Sequence, residues 1–73
     1  MNEESLRLLQ SKIVLNGFIL KTFIAKIGMS NQAWYNKIKG LTKFNSEDIE
    51  KICITLHLTN DEKDLIFFKN LVE

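Results

Sequence analysis

Only three glycines interrupt the helical patterning of this chain. It contains no proline, so the residue that most forcefully breaks a helix is absent. No segment sustains the period-2 alternation of a half-buried strand. Apolar residues recur instead at spacings of three and four, and the patterned stretches stop at glycine. The Asn16-Gly17 pair shows the reason: glycine tolerates the left-handed backbone that closes a helix, at little steric cost.

This punctuation predicts five short helices in an all-α fold. The first runs from Glu3 to about Asn16, with Leu6, Leu9, Ile13 and also Leu8 on its apolar side. Glu3 and Glu4 sit in its first turn, where the helix dipole favours acids. A second spans Ile19 to Ile27 and stops at Gly28. Ser30 caps a third, which ends at Gly40. Leu41 to Asn45 forms a loop with Phe44 turned into the core. Asn45 or Ser46 caps a fourth helix carrying Ile49, Ile52, Cys53 and Leu56 on one face. Thr59 or Asn60 opens a fifth, running to about Leu71. No linker or repeat divides residues 1–73, so they read as one domain.

Size and composition exclude more than they select. Seventy-three residues, 45% hydrophobic and 26% charged, suit one small globular core and no deep catalytic cavity. One cysteine permits neither an intrachain disulfide nor a cysteine-cluster zinc site. His57 has no second metal-ligand type one turn away, and reads as a helix-end residue. Thr42 and Ser46 lack a histidine to activate them. Asp61, Glu62 and Asp64 lack the glycine and spacing of a calcium loop, and read as helix-start charge. Cys53 reads as a small buried hydrophobe. No enzyme, metal or cofactor is expected. The apolar run from Ile13 to Ile27 is broken by Asn16, Lys21 and Lys26, so no membrane span is expected and the expected compartment is the cytoplasm.

Charge is distributed unevenly. Net charge is +1, yet Ser5 to Ser46 holds seven basic residues and no acid: Arg7, Lys12, Lys21, Lys26, Lys37, Lys39 and Lys43. The rest of the chain holds three basic residues and all nine acids, a balance of −6. One face for a polyanion would produce this pattern, and nucleic acid is the leading polyanion. A solvated lysine surface without a partner would produce it as well.

The segment from Phe23 to Gly40 carries the functional signal. A short helix ends at Gly28, apolar Met29 follows, and Ser30 caps a second helix with small Ala33 near its start. Trp34 and Ile38, four apart, face inward, and the Trp34 ring reads as core rather than as a base-stacking platform. The outward face carries Asn31, Gln32, Tyr35, Asn36 and Lys39. Asn and Gln can pair bidentately with adenine in the major groove, and lysine can reach guanine or phosphate.

In these residues the chain resembles the lambda-repressor/Cro-type (XRE-like) helix-turn-helix family. More narrowly, it resembles small phage-encoded regulators of Gram-positive bacteria. The similarity rests on Phe23-x-x-x-Ile27-Gly28-Met29-Ser30, on Trp34-Tyr35-Asn36-Lys37-Ile38-Lys39-Gly40, and on Phe44-Asn45-Ser46-Glu47-Asp48-Ile49-Glu50-Lys51-Ile52. It covers about Leu6 to Phe68, with the motif at about residues 20–40. It implies a compact five-helix domain that binds double-stranded operator DNA, usually as a homodimer, and regulates transcription. The family's base-reading positions fall on Ser30, Asn31, Gln32, Tyr35 and Asn36, and its phosphate-contacting loop falls on Lys39 to Lys43. Where many members place a capping threonine and a phosphate-touching glutamine, this chain has Ile19 and Leu20, with Lys21 as the available substitute. Ile24 stands where a small alanine is usual. Lys37 takes a usually apolar position, and Ile38 takes over its core role.

The apolar run Leu65-Ile66-Phe67-Phe68, followed by Leu71-Val72, invites a second reading. Leu65, Phe68 and Leu71 lie three apart and can all face inward, leaving Ile66 and Phe67 for other directions, unless Phe67 closes the core beneath the first helix. The run could complete the core, form a dimer seam, or dock another protein. An alternative function is therefore a protein-interaction module on the same fold, an antirepressor or antitoxin-like adaptor.

Overall fold

The computed structural model describes residues 1–68. The expected end of the fifth helix near Leu71, and the apolar Leu71-Val72 pair, lie outside the described residues. The chain is all-helical: α1 (Glu3–Leu15), α2 (Leu20–Lys26), α3 (Asn31–Ile38), α4 (Ser46–Leu56) and α5 (Asn60–Lys63), which passes into a π-helical segment, Asp64–Phe68. It forms a globule of 33 × 25 × 21 Å. Among the described residues no single helix is long and apolar enough to cross a membrane, and α1 and α2 meet at a bend of 87°.

Each helix starts where a side chain can satisfy its first free N–H groups. Asn2 accepts from Ser5 N at 2.8 Å, and Ser30 accepts from Ala33 N at 3.1 Å. Asn45 and Asp48 cap α4 reciprocally, as Thr59 and Glu62 cap α5. Ile19, at the start of α2, has no polar side chain. Thr22 compensates by accepting from Ile19 N at 3.2 Å and donating to Ile19 O at 2.9 Å.

The first four helices also end alike. At the close of α2, Met29 N donates to Ile24 O and Gly28 N to Ala25 O, both at 3.1 Å. This paired closure needs a left-handed residue, and Gly28 supplies it with φ of 73°. The same two bonds recur at Gly17 and Gly40. They recur once more after α4, where Leu58 N donates to Cys53 O and His57 N to Ile54 O. There the left-handed residue is His57, with φ of 53°.

The core consists of Leu9 and Ile13 of α1, Phe23, Ile24 and Ile27 around α2, Trp34 of α3, Ile52 and Leu56 of α4, and Ile66. A line of edge-to-face aromatic contacts runs through it: Phe18–Phe23–Trp34–Phe44–Phe67, with centroids 5.3 to 5.8 Å apart. This line runs from the α1–α2 connection through α2, α3 and the loop before α4 to the π-helical segment, and each edge-to-face contact adds to the stabilisation from buried area.

The C-terminal run departs from expectation. Ile66 is buried and Phe67 packs on the core, whereas Leu65 and Phe68 are the exposed pair. The three-residue spacing assumes 3.6 residues per turn. A π-helical turn is wider, so it rotates Ile66 inward and Leu65 outward. Ser5, 4% exposed, fixes this register by donating from Oγ to Leu65 O at 3.0 Å. Cys53 is half-buried rather than buried, at the rim of a cleft shared with Ile54, Leu58, Lys63 and Phe68.

Candidate nucleic-acid interface

The candidate surface is α3 with the turn before it and the loop after it. Trp34, 2% exposed, anchors α3 from behind. Met29 and Ile38 pack against the core at its two ends. The sequence-predicted residues Ser30, Asn31, Gln32, Tyr35, Lys39 and Lys43 are all exposed, and Asn36 is half-buried. Lys21 is exposed on the first turn of α2.

Two pairs at i,i+4 spacing order this helix surface. Gln32 Nε2 donates to Asn36 Oδ1 at 3.0 Å. The Lys39 ammonium sits 4.3 Å from the centre of the Tyr35 ring, within the range of a cation–π contact. Each pair holds a long polar side chain that would otherwise sample many rotamers. Ser30 is drawn into the cap of α3, since its hydroxyl accepts from Ala33 N.

The seven basic residues of the acid-free stretch divide into two groups. Arg7 pairs with Glu3 at 2.7 Å in an exposed bridge. Lys12 pairs with Glu62, and Lys37 with Asp48 at 2.9 Å. Both of these acids belong to helix-capping pairs, so one carboxylate serves a cap and a lysine together. The hydrogen bond from Lys12, then that from the Thr59 backbone, hold the Glu62 carboxyl below its ordinary range. Among the described residues no carboxylate lies in salt-bridge distance of Lys21, Lys26, Lys39 or Lys43.

Lys37 is thereby explained as a structural residue. Its ammonium also donates to the Lys43 carbonyl at 3.1 Å and lies 5.9 Å from the Phe44 ring centre. Lys37 thus ties the end of α3 to the loop and to the start of α4. It fixes the backbone that carries Lys43. The partner acid is eleven residues away, beyond any helical spacing rule, so sequence patterning gives no signal for it.

Ile19 and Leu20 are exposed, together with Val14 and Leu15 at the end of α1. This corner is aliphatic, and Lys21 is the cation beside it. Ile24 is accommodated in the core at 5% exposure. Among the described residues, no group of three or more His, Cys, Asp or Glu side chains could hold a metal ion. Burial, opposed by Lys63, pushes the Cys53 thiol up, away from the thiolate form that a nucleophile needs. Comparison with family models, characterised proteins and solved structures finds no match to this chain.

Proposed function

We propose that the protein is a sequence-specific double-stranded DNA-binding regulator of transcription, with α2 and α3 acting as a helix-turn-helix. In this reading α3 enters the major groove. The helix face that carries Ser30, Asn31, Gln32, Tyr35 and Asn36 lies against base edges, while Lys21, Lys39 and Lys43 meet phosphates. The division is physical: phosphate contacts hold the protein in register, and base-edge contacts carry sequence information. Regulation is steric, by occupation of an operator that overlaps a promoter. The resemblance of the Phe23–Gly40 motif to phage and prophage regulators of the lambda-repressor/Cro type suggests this mode.

One observation carries the reading. α3 presents an exposed polar face without an acid, ordered by the Gln32–Asn36 and Tyr35–Lys39 pairs, and followed by a loop whose Lys43 has no carboxylate partner among the described residues. A merely solvated lysine surface gives no reason for ordered carboxamides beside unpaired cations. The test is titration of a random-sequence duplex by fluorescence anisotropy at rising salt. Binding that weakens steeply with salt is expected. Absence of binding at 50 mM salt would remove the proposal.

The aliphatic corner of Val14, Leu15, Ile19 and Leu20 favours the second reading, a protein-interaction adaptor on the same fold. An adaptor need not bind duplex DNA, so the same titration separates the two. Homodimerisation on a palindromic operator would place two copies of α3 about 34 Å apart, one DNA turn. Leu65 and Phe68, both exposed, are available for such a seam.

A further inference from the structure

We propose that Gln32 and Asn36 read one adenine·thymine base pair as a unit: Gln32 touches the adenine, and Asn36 is the positioning residue that fixes the Gln32 amide. The inference rests on the DNA-binding reading above and narrows it. Both residues fall on expected base-reading positions. The 3.0 Å hydrogen bond from Gln32 Nε2 to Asn36 Oδ1 makes them dependent.

Hydrogen-bond accounting identifies the base. A glutamine amide has two N–H donors and one carbonyl acceptor. One N–H is committed to Asn36. The remaining N–H and Oε1 form the donor–acceptor pair that matches N7 and N6–H of adenine in the major groove. Guanine presents two acceptors there, N7 and O6, so Oε1 would face another acceptor. Cytosine offers a donor without the adjacent acceptor. Discrimination therefore depends on which way the Gln32 amide faces.

Asn36 controls that orientation. Gln32 is exposed at the start of α3, and its amide bonds to Asn36, which is half-buried one turn further on. While Asn36 presents its oxygen, a flipped Gln32 would set oxygen against oxygen. Holding the amide before binding also removes part of the ordering cost of a long side chain. The Tyr35–Lys39 contact occupies the neighbouring strip of the helix, so Asn36 rather than a lysine is the group placed to hold Gln32.

The experiment uses the full chain and four duplexes that differ at one base pair. That position is located by selecting bound sequences from a random pool and finding where Gln32→Ala relaxes the preference. The native protein should favour A·T there by about 5- to 150-fold over the other pairs. Asn36→Leu removes the acceptor, and the preference at the same position should collapse toward unity. Asn36→Asp keeps an acceptor and cannot donate, so it should retain the preference for A·T while its charge weakens binding to all four duplexes. Circular dichroism melts establish that each variant is folded. Should Asn36→Leu relax a different base pair from Gln32→Ala, Asn36 reads its own base and the unit is overturned. Retention of the full preference by Asn36→Leu overturns it as well. If the native protein binds no random duplex at low salt, the DNA-binding reading itself fails and takes the unit with it, an outcome distinct from bound but unselective DNA.

Discussion

Replacing His57 with glycine should stabilise the protein, and the size of the gain can be worked from the four matching helix ends. All four close with the same pair of backbone bonds around a left-handed residue. Three of these residues are glycine, and an added Cβ at any of them would meet nothing within 4 Å. Substitution by alanine there tests backbone strain without a packing clash. Left-handed backbone costs an L-residue about 1–2 kcal/mol. Alanine recovers about 0.4–1 kcal/mol by restricting the unfolded chain. The balance is a loss of about 0.5–1 kcal/mol for Gly28→Ala.

The same terms act with opposite sign at position 57, where the side chain is exposed and little packing is forfeited. Histidine tolerates the left-handed region better than most residues, so the gain for His57→Gly should be about 0.5 kcal/mol. His57→Ala should fall about 0.5–1 kcal/mol below His57→Gly, the gap found for Gly28→Ala. In thermal melts followed by circular dichroism, about 1 kcal/mol corresponds to about 4–8 °C in a domain of this size. The expected order of Tm is glycine, histidine, alanine. Equal melting of His57→Gly and His57→Ala would refute the assignment of strain to this helix end. A gap at position 57 without a matching loss in Gly28→Ala would refute the equivalence of the two ends.

Three further substitutions probe the packing and charge layout. Lys37→Met should cost about 1–3 kcal/mol in urea denaturation, because it leaves Asp48 in a largely covered ion-pair site without its cation; adding Asp48→Asn should recover part of the loss, and a neutral Lys37→Met would show the pair to be dispensable. Glu62→Gln should lower Tm at pH 7 and flatten its acid dependence. The folded carboxyl is held below its ordinary value, so its stabilisation is present above the unfolded value of about 4.3 and is lost as pH falls through the lower folded value; parallel Tm–pH curves for native protein and variant would contradict this. Phe67→Ala should cost about 2–3 kcal/mol by removing the end of the aromatic line at Phe44, while Leu65→Ser stays within about 0.5 kcal/mol and shifts sedimentation if Leu65 belongs to a dimer seam.

The helical architecture is legible in the sequence because its determinants are local. Caps at Ser30, Asn45 and Thr59, and stops at Gly17, Gly28 and Gly40, act within a few residues of themselves. His57 reads as a helix-end residue, but its left-handed backbone is not legible, because histidine marks that conformation far less strongly than glycine. The π-helical turn at Asp64–Phe68 is not legible for a different reason. Its register is set by Ser5, sixty residues earlier, and a 3.6-residue period applied to Leu65 and Phe68 gives the wrong inward face. At the candidate interface, exposure of Gln32, Tyr35 and Lys39 follows from Trp34 and Ile38 taking the inward positions. The Gln32–Asn36 spacing permits a bond but does not select it over other polar neighbours, and the Lys37–Asp48 tie lies beyond any helical spacing rule.

If the protein binds DNA as proposed, the division among the lysines limits how one copy can hold it. Lys12 and Lys37 are committed to Glu62 and Asp48, and Arg7 to Glu3. Of the seven basic residues, Lys21, Lys26, Lys39 and Lys43 remain without a carboxylate partner among the described residues. In a duplex titration each phosphate neutralised contributes about −0.9 to the slope of log affinity against log salt. The proposed contacts of Lys21, Lys39 and Lys43 give one copy about −2.7, and Lys26 would bring it to about −3.6; if these four are the only phosphate contacts, a steeper slope requires a second copy on the same duplex. Lys43→Ala makes the count explicit. The slope should shallow by about 0.9 if one copy is bound and by about 1.8 if two are bound. Lys37→Met, whose ammonium already belongs to Asp48, should leave the slope as it is. An unchanged slope in Lys43→Ala would show that the loop after α3 does not touch phosphate. A shallower slope in Lys37→Met would show that the ion pair opens on DNA, and would return Lys37 to the binding surface.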